Sequence, residues 1–313
     1  MKVLVTGACG FIGINLCERL LNDGHEVIGF DNFSGEYAKS VYKQNQDLLE
    51  NSDKALFVRG DINDKKAVSF LKGKGITHVV HLAAKTGVRD SVLHPREYIE
   101  TNIIGTQNIL DFAVAENVSS IVLASTSSVY GKNIPPFDES MPTTTPLSPY
   151  AATKIGMESL AYSYNNLSGL PINILRFFTV YGPKGRTDMA VYKFTKLIND
   201  GKPITVFGDG SAKRDFTYVD DIVEGIISAM KLKAGFNVFN LGYSKKITIN
   251  EVILLIEKNL GKKAIVKHVG FHAEDALETL ADITKAKKVL GYSPKTSVDD
   301  GIRFFVDWFR KNA

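Results

Sequence analysis

Cysteine, tryptophan and histidine are all scarce in this chain: 313 residues contain two, one and six of them. Cys9 and Cys17 lie eight apart in what reads as the first loop and helix, where a disulfide would fight the helix. Two thiols also make a poor metal site, and the scattered histidines have no zinc-ligand spacing, so no metal is expected and a reducing cytoplasm is. No run of about 18 apolar residues is present and no signal peptide precedes the first strand, so a membrane role is not expected. An excess of one charge is lacking too. Thirty-eight Lys and Arg against 34 Asp and Glu leave +4, too little to indicate a nucleic-acid partner. The remaining composition, 44% hydrophobic and 23% charged, is ordinary for a soluble protein with ample core.

Against that background, two features stand out together. A glycine loop, Gly7-Ala-Cys-Gly10-Phe11-Ile12-Gly13, lies well upstream of Tyr150 and Lys154. Residues four apart share a helix face. An ammonium beside a phenol favours the phenolate and lowers its pKa from about 10. Such a base can take a proton from a hydroxyl while a nicotinamide takes the hydride. The combination points to an oxidoreductase-type site.

Short apolar runs at 2–6, 26–30, 55–58, 78–82, 121–125 and 172–177 alternate with helical stretches, notably 11–22, 98–115 and 149–167. That rhythm predicts an α/β fold, a Rossmann-type doubly wound parallel sheet. Ser148-Pro149 reads as an N-cap and first helical position, so Tyr150 opens its helix. Residues 1–177 are expected to form the cofactor domain, with part of 212–245 returning to it. The rest, 178–313, is expected to be mainly a smaller, interleaved C-terminal α/β substrate lobe, with the ligand in the cleft between.

Glycines at 7, 10 and 13 follow a strand and open a helix, the context that lets backbone approach a pyrophosphate at a helix N-terminus. Asp31, with Asn32 beside it, ends the second strand 18 residues after Gly13. A carboxylate there accepts bonds from an adenosine ribose and repels a 2′-phosphate, which favours NAD over NADP. Asp61-Ile62 either meets the adenine or caps the next helix. Leu82, Ala83 and Ala84 supply small residues over which a cofactor can lie. Four hydroxyls, Ser125 to Ser128, stand at the end of the fifth strand, where they are expected to face it.

With these residues the chain resembles the extended short-chain dehydrogenase/reductase family, specifically its nucleotide-sugar 4-epimerases. The resemblance runs nearly end to end. It covers the 7–13 loop, Ala83-Ala84, Asn102, the Ser/Thr run before Val129-Tyr130-Gly131, Tyr150-x-x-x-Lys154, Arg176-Phe177-Phe-Thr179-Val-Tyr-Gly-Pro183, Arg214-Asp-Phe-Thr-Tyr-Val-Asp-Asp221 and Thr279-x-Ala281-Asp282. It implies Thr126 as the catalytic hydroxyl, Tyr150 as the base, and Lys154 as the group that holds nicotinamide ribose and the phenol's pKa. It implies Asn102 and Phe177 near the cofactor. The implied reaction is oxidation at sugar C4, rotation of the 4-keto sugar, and return of hydride to its other face, with NAD recycled. Ser127 follows Thr126 where dehydratases and decarboxylases of the family carry an acidic residue, which argues for simple epimerisation.

Residues 176–190 are most similar to UDP-glucuronate 4-epimerases. Thr179 stands where UDP-galactose epimerases have asparagine. Thr179, Arg186, Ser127 and Ser128 could hold a C6 carboxylate, although Arg186 also reads as a solvated loop arginine. Lys85 and Thr187 depart from the usual glutamine and proline. Arg214 matches the family's diphosphate arginine; Asp275, or equally Glu274, lies where an acidic residue meets uridine ribose; Phe207 stacks on the base or fills the core. The alternative substrates are UDP-glucose or UDP-N-acetylglucosamine. A net-redox dehydrogenase and a non-catalytic NAD-binding module are less favoured. Relatives pair as homodimers through the helices here at 98–115 and 149–167, with Ile155, Met157, Leu160, Ala161, Ile103, Ile104, Ile109, Leu110 and Phe112 as the expected apolar surface.

Overall fold

The computed structural model describes residues 1–35, 39–270 and 278–312. Its first half runs β1 (Lys2–Thr6), α1 (Phe11–Asn22), β2 (Glu26–Asp31), α2 (Lys39–Glu50), β3 (Ala55–Arg59), α3 (Lys65–Ser69) and β4 (His78–His81). Then come α4 (Val88–Leu93), α5 (Pro95–Ile99), a π-helical turn (Glu100–Gly105), α6 (Thr106–Ala115), β5 (Ser120–Thr126), α7 (Pro149–Ser168) and β6 (Ile172–Phe177). The second half holds β7 (Thr179–Tyr181), α8 (Ala190–Asn199), β8 (Ile204–Phe207), β9 (Lys213–Tyr218), α9 (Val219–Met230) and β10 (Phe236–Leu241). It ends with β11 (Lys246–Thr248), α10 (Ile249–Leu260), β12 (Val266–Val269), α11 (Thr284–Leu290) and α12 (Val298–Asn312).

Seven parallel strands in the order β10-β6-β5-β4-β1-β2-β3 form the main sheet. Strands β1, β4, β5 and β6 are buried nearly throughout, as sheets covered by helices on both faces require. Strand order reverses between β1 and β4. The carboxyl ends at that switch point are where an open α/β sheet binds its ligand. After β6 the chain leaves the sheet and returns: α9 packs on β4, β5 and β6, and β10 pairs in parallel with β6. Two small sheets, β11-β9-β7 and β12-β8, stand apart from the main one, and α8, α10 and α12 pack on them and on one another. Among the described residues no helix is long and apolar enough to cross a membrane.

Two expectations are corrected. The stretch 98–115 is not one regular helix, because a π-helical turn interrupts it; Asn102 sits in that turn, buried and doubly bonded to the Lys85 backbone. Met157, Ala161, Ile109, Leu110 and Phe112 face the chain's own sheet, since a helix lying on a sheet must bury one stripe there. The large apolar residues these two stretches turn outward are Ile99, Ile104, Tyr162 and Leu167, with Leu93 exposed on the neighbouring α4.

Candidate active site

One cavity of about 520 Å³ opens at the switch point. Gly7, Gly10, Phe11, Ile12, Gly13, Asp31, Asn32, Ile62, Leu82, Ala83 and Ala84 line one end. Thr126, Ser127, Ser128, Tyr150, Lys154, Phe177, Thr179 and Arg186 line the other. Residues scattered over 180 positions converge because they sit at or just past the carboxyl ends of β1 to β6, in or after β7, or in the first turns of α1 and α7.

The glycine loop is shaped by close approach. Gly7 has φ +70, and a Cβ there would stand 2.8 Å from the Ala83 nitrogen. A Cβ on Gly13 would overlap the Gly7 carbonyl. Side chains are thus excluded where α1 meets β1 and β4, and the first N–H groups of α1, which have no intrahelical acceptor, lie at the cavity. The Asp31 carboxylate accepts from the Cys9 N–H at 2.9 Å and the Phe33 N–H at 2.7 Å. Burial raises its pKa, and these N–H donors pull it back. It fixes the loop as well as facing the cavity. A pyrophosphate at the loop and a ribose at Asp31 both fit this end, so the residues present suit a dinucleotide.

Beneath the switch point lies a polar rail invisible in the sequence pattern. The Thr106 hydroxyl donates to the Asn102 carbonyl at 2.8 Å, so it accepts from His81 Nε2 at 3.0 Å. His81 Nδ1 then accepts from Thr6 Oγ1 at 2.7 Å, and Thr6 Oγ1 accepts from the Ala83 N–H at 3.2 Å. Burial pushes the His81 pKa down to about 3, which keeps the ring neutral for this single-proton relay of bonds. The rail ties β1, β4 and α6 together under Ala83.

At the chemical end, Ser148 caps α7 by accepting from the Ala151 N–H at 3.2 Å, and Pro149 takes the first position. Tyr150, Lys154 and Glu158 follow at intervals of four on one face. Burial raises the Tyr150 pKa; a hydrogen bond with Thr126 and the Arg186 guanidinium pull it back. Lys154 lines the cavity with Tyr150 and is anchored from behind. Its ammonium donates to the Ala124 carbonyl at 2.9 Å, and burial lowers its pKa to about 8, with Glu158 opposing.

The hydroxyl run divides its duties. Ser125 lines the cavity and donates its hydroxyl to Glu158 at 2.5 Å, while Thr126 caps the next turn through the Ser128 N–H at 3.2 Å. Glu158 also receives Arg176 through Nε at 3.1 Å and Nη2 at 2.7 Å. Arg176 Nη1 donates to the Tyr130 hydroxyl, which donates to Asn240 at 2.6 Å. The motif residues Tyr130 and Arg176 thus form a buried floor, joining β5, β6, α7 and β10.

Other expected residues lie elsewhere. Asp61 accepts from Asn32 at 2.8 Å and stands behind the lining. Asn102 acts through Lys85, bonding both its N–H (2.8 Å) and its carbonyl (3.0 Å). Phe207 and Arg214 are outside the cavity lining; the Arg89 guanidinium covers the Phe207 ring at 3.8 Å. Asp215, next to Arg214, is buried and accepts from the N–H groups of Tyr243, Ser244 and Ala281, clasping three segments. Asp275 and Glu274 lie outside the described residues. Arg186 lines the cavity and has protein partners there: Asp188 accepts from its Nε at 2.9 Å and Nη2 at 2.6 Å, and Thr86 from Nη1.

Comparison with known proteins supports the same reading. The chain is 44% identical to a UDP-glucuronate 4-epimerase of Thermodesulfobacterium geofontis over 311 residues, covering 99% of this chain and 96% of that one. Its fold matches the crystal structure of UDP-glucuronic acid 4-epimerase from Bacillus cereus in complex with UDP-glucuronic acid and NAD, with TM-score 0.94, 38% identity and 99% of each chain covered. It also matches the UDP-glucose 4-epimerase of Thermotoga maritima with UDP-glucose, at TM-score 0.90, 32% identity and 99% of each chain. Since residues 3–242 match the family described as NAD dependent epimerase/dehydratase, and those relatives align almost end to end, the chain belongs to that family.

Proposed function

We propose that this protein is an NAD-dependent epimerase that inverts C4 of UDP-glucuronate. The observation that carries the reading is the convergence of Thr126, Tyr150, Thr179 and Arg186 on one cavity whose other end is a glycine loop and Asp31. Bound NAD supplies the hydride acceptor and donor. The chain's own residues do the rest. Tyr150, hydrogen-bonded with Thr126, takes the proton of the C4 hydroxyl and returns it after inversion. Lys154 and the Ala124 carbonyl anchor the wall beside it. Thr179, Ser127, Ser128 and Arg186 face the sugar's C6 carboxylate. Incubation of pure protein with UDP-glucuronate, UDP-glucose and UDP-N-acetylglucosamine, without added NAD, tests this. UDP-galacturonate should dominate the products, and faster conversion of either neutral sugar would overturn the uronate assignment.

Dinucleotide should copurify, because a catalyst that recycles its cofactor gains nothing by releasing it. Asp31→Ala removes the ribose acceptor and the brace on Cys9 and Phe33 together, and should weaken retention by about 1–3 kcal/mol. Dinucleotide released on denaturation, compared with wild type, measures the loss; equal retention would refute the role.

Arg186→Ala takes away a cation and leaves Asp188 facing the uronate uncompensated. Losing a bond that involves a charged group costs about 1.5–3 kcal/mol, so the Michaelis constant for UDP-glucuronate should rise roughly tenfold or more. The Michaelis constant for UDP-glucose should barely change. An equal effect on both sugars would favour the neutral-sugar epimerase.

The protein works as a homodimer in the cytoplasm. Leu93, Ile99, Ile104, Tyr162 and Leu167, outward on α4, α5, the π-helical turn and α7, support the pairing. The two unpaired, buried thiols suit a reducing compartment. Sedimentation in dilute solution should give twice the chain mass, and a strictly monomeric species would contradict it.

A further inference from the structure

We infer that Asp188 is a tethered rival of the substrate carboxylate: it loosens the grip of Arg186 on a C6 uronate so that the sugar can let go and turn between the two half-reactions. The inference deepens the uronate reading above and rests on it. Arg186 and Asp188 are two residues apart, just before α8, and both line the cavity. The carboxylate takes the Nε–Nη2 edge of the guanidinium at 2.9 and 2.6 Å, and Thr86 across the cleft accepts from Nη1. A uronate reaching Arg186 therefore meets a cation whose charge is already answered, and meets a like charge beside it. The side chains are 19% and 36% exposed, so the pair is hydrated enough to be held only modestly and can give way.

The need for such looseness follows from the reaction. Inversion at C4 from a fixed hydride donor requires the ring to present its other face. The carboxyl group, one carbon beyond C5, must move with it. A guanidinium that held the ground-state carboxylate at full strength would lower KM and resist the turn alike. Asp188 offers Arg186 a second partner during that turn, raising both KM and kcat. It acts through Arg186 and is a positioning residue.

Asp188→Asn keeps the volume and one acceptor and removes the charge. In holoenzyme carrying Tyr150→Phe to stop turnover, it should tighten UDP-glucuronate about two- to fivefold by calorimetry, the size of an exposed charge interaction. The Kd of UDP alone should stay unchanged, which also reports an intact fold. Raising salt to about 0.5 M should shrink the gain. With Tyr150 restored, kcat and KM for UDP-glucuronate should fall together. Asp188→Glu keeps the rival charge and should retain the wild-type Kd. A purely structural aspartate would give the opposite sign, weaker UDP-glucuronate binding in Asp188→Asn, and that result or an unchanged Kd overturns the proposal. Wild-type protein inactive on UDP-glucuronate sinks the uronate reading and this role with it. Active wild type with the wrong sign in Asp188→Asn sinks this role alone.

Discussion

Tyr150→Phe should fold and retain dinucleotide as the wild type does, yet lose at least about 10²-fold in kcat, the low end for removing a positioned acid/base. The phenol is half-buried and its ring remains packed; Tyr98 meets it edge to face with centroids 6.1 Å apart. Only the proton carrier is lost. Thr126→Ala should cost less, because Thr126 reaches the reaction through a hydrogen bond with that phenol. Single-turnover assays separate the chemical step from release. Near-normal turnover in Tyr150→Phe would end the case for this mechanism.

Glu158→Ala should cost about 3–5 kcal/mol of stability, the range for breaking a buried pair and leaving one charge uncompensated. Arg176 is 6% exposed and Glu158 10%, and the carboxylate answers Ser125 as well as the Nε–Nη2 edge of the guanidinium. Urea unfolding followed by far-UV dichroism measures the loss. Glu158→Gln, which keeps the volume and one acceptor, should lose less. A cost below about 1 kcal/mol for Glu158→Ala would mean that water reaches the pair and that the floor beneath Thr126 is not a sealed network. Turnover should fall as well, since Ser125 precedes Thr126 and Lys154 lies one helical turn from Glu158.

How far the sequence reached can be judged from particular residues. Local rules were enough for the elements: the buried run at 172–177 is β6 to the residue, and Ser148-Pro149 opens α7 as a cap must. The parallel sheet followed from alternation, since each strand needs a covering helix before the next. The π-helical turn at 100–105 was not legible, because the apolar pattern of 98–115 does not register one extra residue per turn. Nor were the partners of polar side chains. Glu158 and Arg176, like Thr6, His81 and Thr106, are far apart in sequence and meet only when the sheet brings β1, β4, β5 and β6 side by side.

The sequence by itself therefore determined the doubly wound sheet, the glycine loop that ends β1, the carboxylate that ends β2, and the helix face carrying Tyr150 and Lys154. Each depends on spacing along a few turns or one strand. The tertiary structure alone decided what each charged group answers. Arg186 turned to Asp188, Lys154 to the Ala124 carbonyl and Ser125 to Glu158, because a buried or half-buried polar group takes whatever partner the assembled walls supply, wherever in the chain that partner was written.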